Sequence, residues 1–172
     1  MVGHKHPWQR IFVALDMTDM GRAVELAHGL KGAVGGVKLG KEFFTAHGPE
    51  GVHRVTECGM PLFLDLKYHD IPNTVAGAIR ASLALQPLIV NVHAGGGRRM
   101  MQAAAEAADQ APSLSPAGKR PSVIGVTVLT SMVRADLVEV GIDEEPLEHV
   151  LRLSRLAKSS GLDGVVCSAK EV

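Results

Sequence analysis

"PLFLDLKYHDIPNTVAGAIRASLAL", residues 61–85, joins a short apolar run to a helix-patterned segment through a charged loop. Residues 61–66 read as a strand. Side chains alternate across a strand, so Leu62, Leu64 and Leu66 point one way and Phe63, Asp65 and Lys67 the other. Residues 73–85 carry apolar positions at helical spacing. Between them Pro72 fixes its own φ and restricts Ile71 to extended geometry, and Asn73 or Thr74 is placed to cap the helix. The stretch is one β-α unit with its charges at the carboxyl end of the strand.

The same unit recurs on both sides. "IFVAL" (11–15) is a β-rich run, followed by "MGRAVELAHGL" with Asp19 placed to cap a helix. "GGVKLG" (35–40) leads into "KEFFTAHG" and a further helical stretch near "PEGVHRVTECG". "PLIVNVHA" (87–94) passes through three glycines into the alanine-rich "RRMMQAAAEAADQA". "VIGVTVL" (123–129) precedes helical material over 132–160, and "GLDGVVCS" (161–168) is a sixth strand. The Pro/Ser/Gly-rich "PSLSPAGKRPS" separates units rather than domains. Residues 1–10 read as a polar leader and 11–172 as a single domain.

Strands that are apolar runs, alternating with helices, predict a parallel sheet covered by helices. A doubly wound sheet and a (β/α) barrel both fit. In either, chemistry belongs at the carboxyl ends of the strands, where Asp16, Lys38, Asp65, Lys67, His93 and Thr130 gather. With 172 residues and 46% hydrophobic content the chain can form one core. Its 18 basic and 18 acidic residues cancel, so no global field draws it to nucleic acid or an anionic membrane. No window approaches the roughly 20 apolar residues of a membrane span, and residues 1–10 lack a signal-peptide pattern. A soluble, cytoplasmic protein is expected. Cys58 and Cys167 have no metal-ligand or redox spacing and read as buried thiols.

Asp65 and Lys67 share a strand face, Asp70 follows on the loop, and Lys38 brings a second ammonium from the neighbouring strand. Alternating opposite charges keep each member ionised, which suits a site that stresses an anion and donates a proton. Plainer readings exist for each part. The Asp65–Lys67 pair could simply fix its strand, Lys38 could be a solvated strand-end lysine, and His93 a satisfied polar residue. "GGGRR" (95–99) reads equally as a phosphate cradle or a tight turn.

Taken together, "ALD" ending at Asp16, "VKLG", "DLKYHDIPNT", "VNVHAGGG", "VTVLTSM" and "GLDGVVCSAKE" resemble, in order, segments of the orotidine 5′-phosphate decarboxylase family. The D-x-K-x-x-D-I-P-N-T run is the most specific of them. The resemblance implies a TIM-type (β/α) barrel that converts orotidine 5′-monophosphate to UMP in pyrimidine biosynthesis with no metal or organic cofactor. It further implies a homodimer with active sites at the interface. By the same resemblance Lys67 would be the proton donor, Asp65 would sit against the substrate carboxylate, and Lys38 would bind the ribose and bridge the charges. Asp70 and Thr74 would reach the partner's site, Asp16 would hold a ribose hydroxyl, Thr130 would contact the pyrimidine, and Ile71 would join the substrate-binding set. His69 and His93 receive no role.

A whole barrel of this kind runs to about 250 residues, so the barrel is expected to be truncated after the sixth strand. Its exposed sheet edges at the first and sixth strands would then make the isolated chain poorly soluble or drive it to associate. Two other readings remain. A magnesium-dependent sugar-phosphate decarboxylase or aldolase of the same superfamily would share Asp-x-Lys-x-x-Asp, but "DIPNT" and the lysine of "GVKLG" argue against it. A non-catalytic partial barrel is the other.

Overall fold

Val37, Leu39, Leu62, Leu64, Val90 and Val123 are essentially inaccessible to water. Their registers place them side by side on one face of a parallel sheet, and that face is the core beneath the helices. The computed structural model describes residues 6–111 and 118–171. Six strands run in chain order, each paired in parallel with the next. They are β1 (Phe12–Ala14), β2 (Gly36–Gly40), β3 (Leu62–Tyr68), β4 (Ile89–His93), β5 (Ser122–Val126) and β6 (Gly164–Val166). Between them lie α1 (Met20–Leu30), α2 (Lys41–Thr56), α3 (Pro72–Ser82), α4 (Gly97–Ala108), α5 (Arg134–Glu139) and α6 (Pro146–Ser159). Sequential parallel pairing with intervening helices is the topology of a (β/α) barrel rather than of a doubly wound sheet, whose order reverses at a switch point. Six strands make an open portion of that barrel, with β1 and β6 as its edges.

The other sheet face is the barrel interior. Phe12 and Phe63 meet there edge to face, with ring centroids 6.4 Å apart, and fill the amino-terminal end. Gly36 of β2 lies between the strands that carry them; a Cβ there would strike Phe12 and the Pro61 carbonyl oxygen, so only glycine fits. Within the polar leader, Pro7–Arg10 forms a 3-10 turn whose Gln9 backbone lies directly against Gly35. Above the phenylalanines the interior becomes polar, and the strands deliver their charged residues to that level.

Local chemistry accounts for most boundaries. Asp19 caps α1, its carboxylate accepting from the Arg22 backbone N–H at 2.9 Å. Replacing it with alanine is expected to cost about 1 kcal/mol, measurable as a lower urea midpoint at unchanged slope. Helix α2 is continuous except at Gly48, whose φ of 59° breaks it ahead of Pro49, so the two helical stretches read from sequence meet at a kink. The helical material expected over 132–160 is two helices. Gly141, at φ 84°, ends α5, the Ile142 N–H returns to the Leu137 carbonyl at 2.8 Å, and Pro146 opens α6.

Helix α3 begins one residue earlier than expected. Pro72 occupies its first turn and Ile71 its N-cap, with no side-chain cap, so neither Asn73 nor Thr74 caps it. The three glycines that lead into α4 form a tight turn, with Gly97, its first residue, at φ 83°. Arg98 donates to the Ser159 carbonyl at 2.9 Å, tying this turn to the end of α6. Arg120 joins Asp109 and Asp163 at 2.6 and 2.7 Å, clamping α4 to the entrances of β5 and β6. The linker expected at 112–122 lies partly outside the described residues. Cys58 is buried as expected, whereas Cys167 is only half-buried, because the short β6 leaves it on a sheet edge. Among the described residues no helix is long and apolar enough to cross a membrane.

Candidate active site

The ends of β1, β2 and β3 bring four ionic side chains into one chain of contacts. Lys67 Nζ donates to Asp65 Oδ1 at 2.6 Å, and Lys38 Nζ stands 3.0 Å from Asp65 Oδ2. Lys38 also reaches Asp16 Oδ1 at 3.5 Å. Asp65 is therefore shared between two ammonium groups, one on each oxygen, and is only 7% exposed. The lysines reach outward from it, their side chains 22% and 27% exposed for Lys38 and Lys67. Gly40 keeps the space between strands open: a Cβ there would lie 3.1 Å from Asp16 Oδ1 and 3.8 Å from Lys38 Nζ.

Lys67 arrives by an irregular backbone. The β3–β4 register passes from Leu64↔Val90 to Tyr68↔Val92, four steps on one strand against two on the other. This β-bulge holds Lys67 at φ 51°, in the left-handed region. A non-glycine residue there costs on the order of 1–3 kcal/mol, and such conformations cluster at functional sites. Because the bulge adds two residues, parity is kept and Lys67 stays on the Asp65 side, as simple alternation predicts.

Asn91, which the sequence pattern alone does not single out, completes the arrangement. It lies in β4, 1% exposed. Its Nδ2 donates to Asp65 Oδ1 at 2.6 Å and its Oδ1 accepts from the Lys67 backbone N–H at 2.8 Å. The available signal was an amide inside the apolar run "LIVNV", where burial obliges a polar group to find partners.

Electrostatics follow from these contacts. Burial pushes the Asp65 carboxyl up, but hydrogen bonds from Lys67, Asn91 and Lys38 outweigh it and hold the group below its ordinary 3.8. His93 is held below its ordinary 6.5, first by burial and then by repulsion from His69, Lys41 and Lys67, with Asp65 opposing. Its ring lies 5.4 Å from that of His69. Both histidines left unassigned from sequence thus stand at the same mouth, and His93 is favoured in its neutral form.

The remaining predicted residues lie at the rim. Asp70 is exposed and accepts from the Ile71 N–H at 2.6 Å; among the described residues it makes no ion pair. Ile71 is 67% exposed. Thr74 in the first turn of α3 and Thr130 in the turn after β5 are exposed as well. The chain therefore assembles Asp16, Lys38, Asp65 and Lys67, and leaves Asp70, Ile71, Thr74 and Thr130 open around them. Among the described residues no three His, Cys, Asp or Glu side chains are grouped to hold a metal ion. The assembled groups can place an ammonium proton beside a carboxylate in a shielded setting, which is the equipment of acid catalysis on an anionic substrate.

Parallel β-α units with such an array at the strand ends define a (β/α)-barrel protein with an acid–base site. The chain belongs to the orotidine 5′-phosphate decarboxylase / HUMPS family, whose model matches residues 9–172. It is 50% identical over 162 residues to the orotidine 5′-phosphate decarboxylase of Erythrobacter litoralis, covering 94% of this chain and 68% of the relative. The Rhodospirillum rubrum protein of the same name is 54% identical, with 94% and 65% covered. Among solved structures, an uncharacterized conserved protein from Geobacillus kaustophilus superposes with a TM-score of 0.84 at 45% identity, covering 93% of this chain and 74% of that one. The Lactobacillus acidophilus orotidine 5′-phosphate decarboxylase gives 0.82 at 35% identity, covering 94% and 72%. The chain spans about two thirds of the length of the curated relatives.

Proposed function

We propose that this chain carries the catalytic strands of an enzyme that decarboxylates orotidine 5′-monophosphate to UMP in pyrimidine biosynthesis, with Lys67 as the proton donor. The observation that carries this reading is the buried Asp65 carboxylate held between the Lys67 and Lys38 ammonium groups at 2.6 and 3.0 Å. Breaking the bond between C6 and the carboxylate releases CO2 and leaves an electron pair on C6, which no ring position delocalises well. Catalysis must then stabilise charge present only near the transition state. The Lys67 ammonium is preorganised for that task and transfers a proton to C6, giving UMP. Lys67 is afterwards reprotonated from water.

In this reading Asp65 lies against the substrate carboxylate, Lys38 links the ribose to the charge array, and Asp16 holds a ribose hydroxyl. Thr130 contacts the pyrimidine. Asp70, Ile71 and Thr74 stand exposed together on one loop and helix start beside the array, which suits residues that meet a second subunit in a homodimer. Two free thiols, Cys58 and Cys167, suit a reducing, cytoplasmic setting.

The test is the loss of orotidine 5′-monophosphate absorbance with the purified chain, with and without a chelator. Turnover indifferent to the chelator is expected, because the groups that stabilise charge and deliver the proton in the proposed mechanism are side chains of the protein. Turnover abolished by the chelator would instead point to the magnesium-dependent reaction. UMP binding without turnover would make the chain a binding module.

A further inference from the structure

We propose that Asn91 is a positioning residue for the proton donor: one amide holds both the backbone of Lys67 and an oxygen of Asp65, and thereby sets where the ammonium stands. The inference deepens the decarboxylase reading and rests on it.

Asn91 sits between Val90 and Val92, both fully buried, in a strand enclosed on both faces. An amide at such a position is costly unless its donors and acceptor are matched. Both of its polar atoms have partners, and the partners lie on either side of Leu66 within the bulge: Asp65 through Nδ2 and Lys67 through Oδ1. A carboxylate can only accept and a backbone N–H can only donate, so the orientation of the amide is dictated by chemistry rather than by choice of assignment. The Lys67 N–H has left the strand ladder for the Asn91 oxygen, and Lys67 itself is in the left-handed region at φ 51°. That conformation persists only where surroundings over-determine it, and Asn91 supplies the constraint.

No other side chain of similar size does both tasks. Aspartate offers the acceptor for the Lys67 N–H but no donor for Asp65, and adds a second carboxylate beside it. Leucine offers neither. The two substitutions therefore separate the two contacts. The charged groups around Asp65 are Lys38 from β2 and Lys67 from its own strand, with Asp16 reached through Lys38, and the titratable His93 faces it from β4. A carboxylate introduced at 91 competes with Asp65 for the same ammonium groups.

The experiment compares the purified chain with N91L and N91D, reading kcat, KM, the pH–rate profile and hydrogen exchange at the Lys67 amide. In N91L, kcat is expected to fall about 100-fold, the effect of a misplaced reacting group, with KM within about threefold. Its Lys67 amide is expected to exchange about tenfold faster, the worth of one hydrogen bond. N91D is expected to keep that amide protected while its acid limb moves to higher pH, because two adjacent carboxylates share protons. A Lys67 amide as protected in N91L as in the parent would overturn the proposal, as would an N91D acid limb that does not move. Should N91L not fold, the near-isosteric N91D decides through its pH profile. Absence of turnover in the unsubstituted chain would sink the claim of activity for this chain as it stands, whereas the amide exchange would still decide what Asn91 holds.

Discussion

Lys67→Ala is expected to lower decarboxylation of orotidine 5′-monophosphate by about 10⁴-fold or more. Two contributions combine: general acid catalysis supplies typically 10²–10⁴-fold and a preorganised charge a further 10²–10³-fold. Lys67→Arg is the sharper variant. It keeps a positive charge next to Asp65, but a guanidinium does not release its proton in the accessible pH range, so charge stabilisation is retained and proton delivery is lost. The expected order of kcat is therefore parent, then arginine, then alanine, with both variants far below the parent. Steady-state rates from the absorbance change give the comparison, and thermal melts check that the variants are folded. An arginine variant within tenfold of the parent would mean that proton donation does not limit the reaction or comes from another group at the same mouth, such as Lys38 or His93.

Much of this site was visible in the sequence because parallel strands are apolar runs, and a charge inside such a run stands out. Lys38, Asp65 and Lys67 interrupt β2 and β3 in this way, and the glycines and prolines between runs mark the turns. Two kinds of feature were hidden. Asn91 interrupts β4 as plainly as Lys38 interrupts β2, yet its importance depends on the bulge opposite, and period-two alternation gives no sign of a bulge that adds an even number of residues. Likewise Asp70, Ile71 and Thr74 are exposed here, and no local pattern states what would cover them. The start of α3 and the division at 140–145 were signalled, by Pro72 and by Gly141 with Pro146. In each case the backbone preference of glycine or proline outweighed a longer-range apolar period or an available capping side chain.

Asp65→Ala is expected to destabilise the fold by about 3 kcal/mol, near the low end for breaking a buried ion pair, since both lysines partly reach water. For a chain of this size that corresponds to a melting temperature lower by roughly 10 °C. The loss has three parts: two ammonium groups without their shared carboxylate, and an Asn91 donor without an acceptor. Asp65→Asn keeps the volume while removing the charge, and it separates electrostatics from packing through pH. The folded carboxyl titrates below its ordinary 3.8, so ionised Asp65 contributes stability above that value. The contribution is lost as pH falls through the lower, folded value. Urea midpoints for the parent chain are therefore expected to fall on acidification below about pH 4, with a shallower decline for Asp65→Asn. Equal acid limbs for the two proteins would show that the Lys38–Asp65–Lys67 contacts contribute nothing net to folding. The strained Lys67 backbone and the buried carboxylate would then be maintained by Asn91 and the surrounding core rather than by the ion pairs.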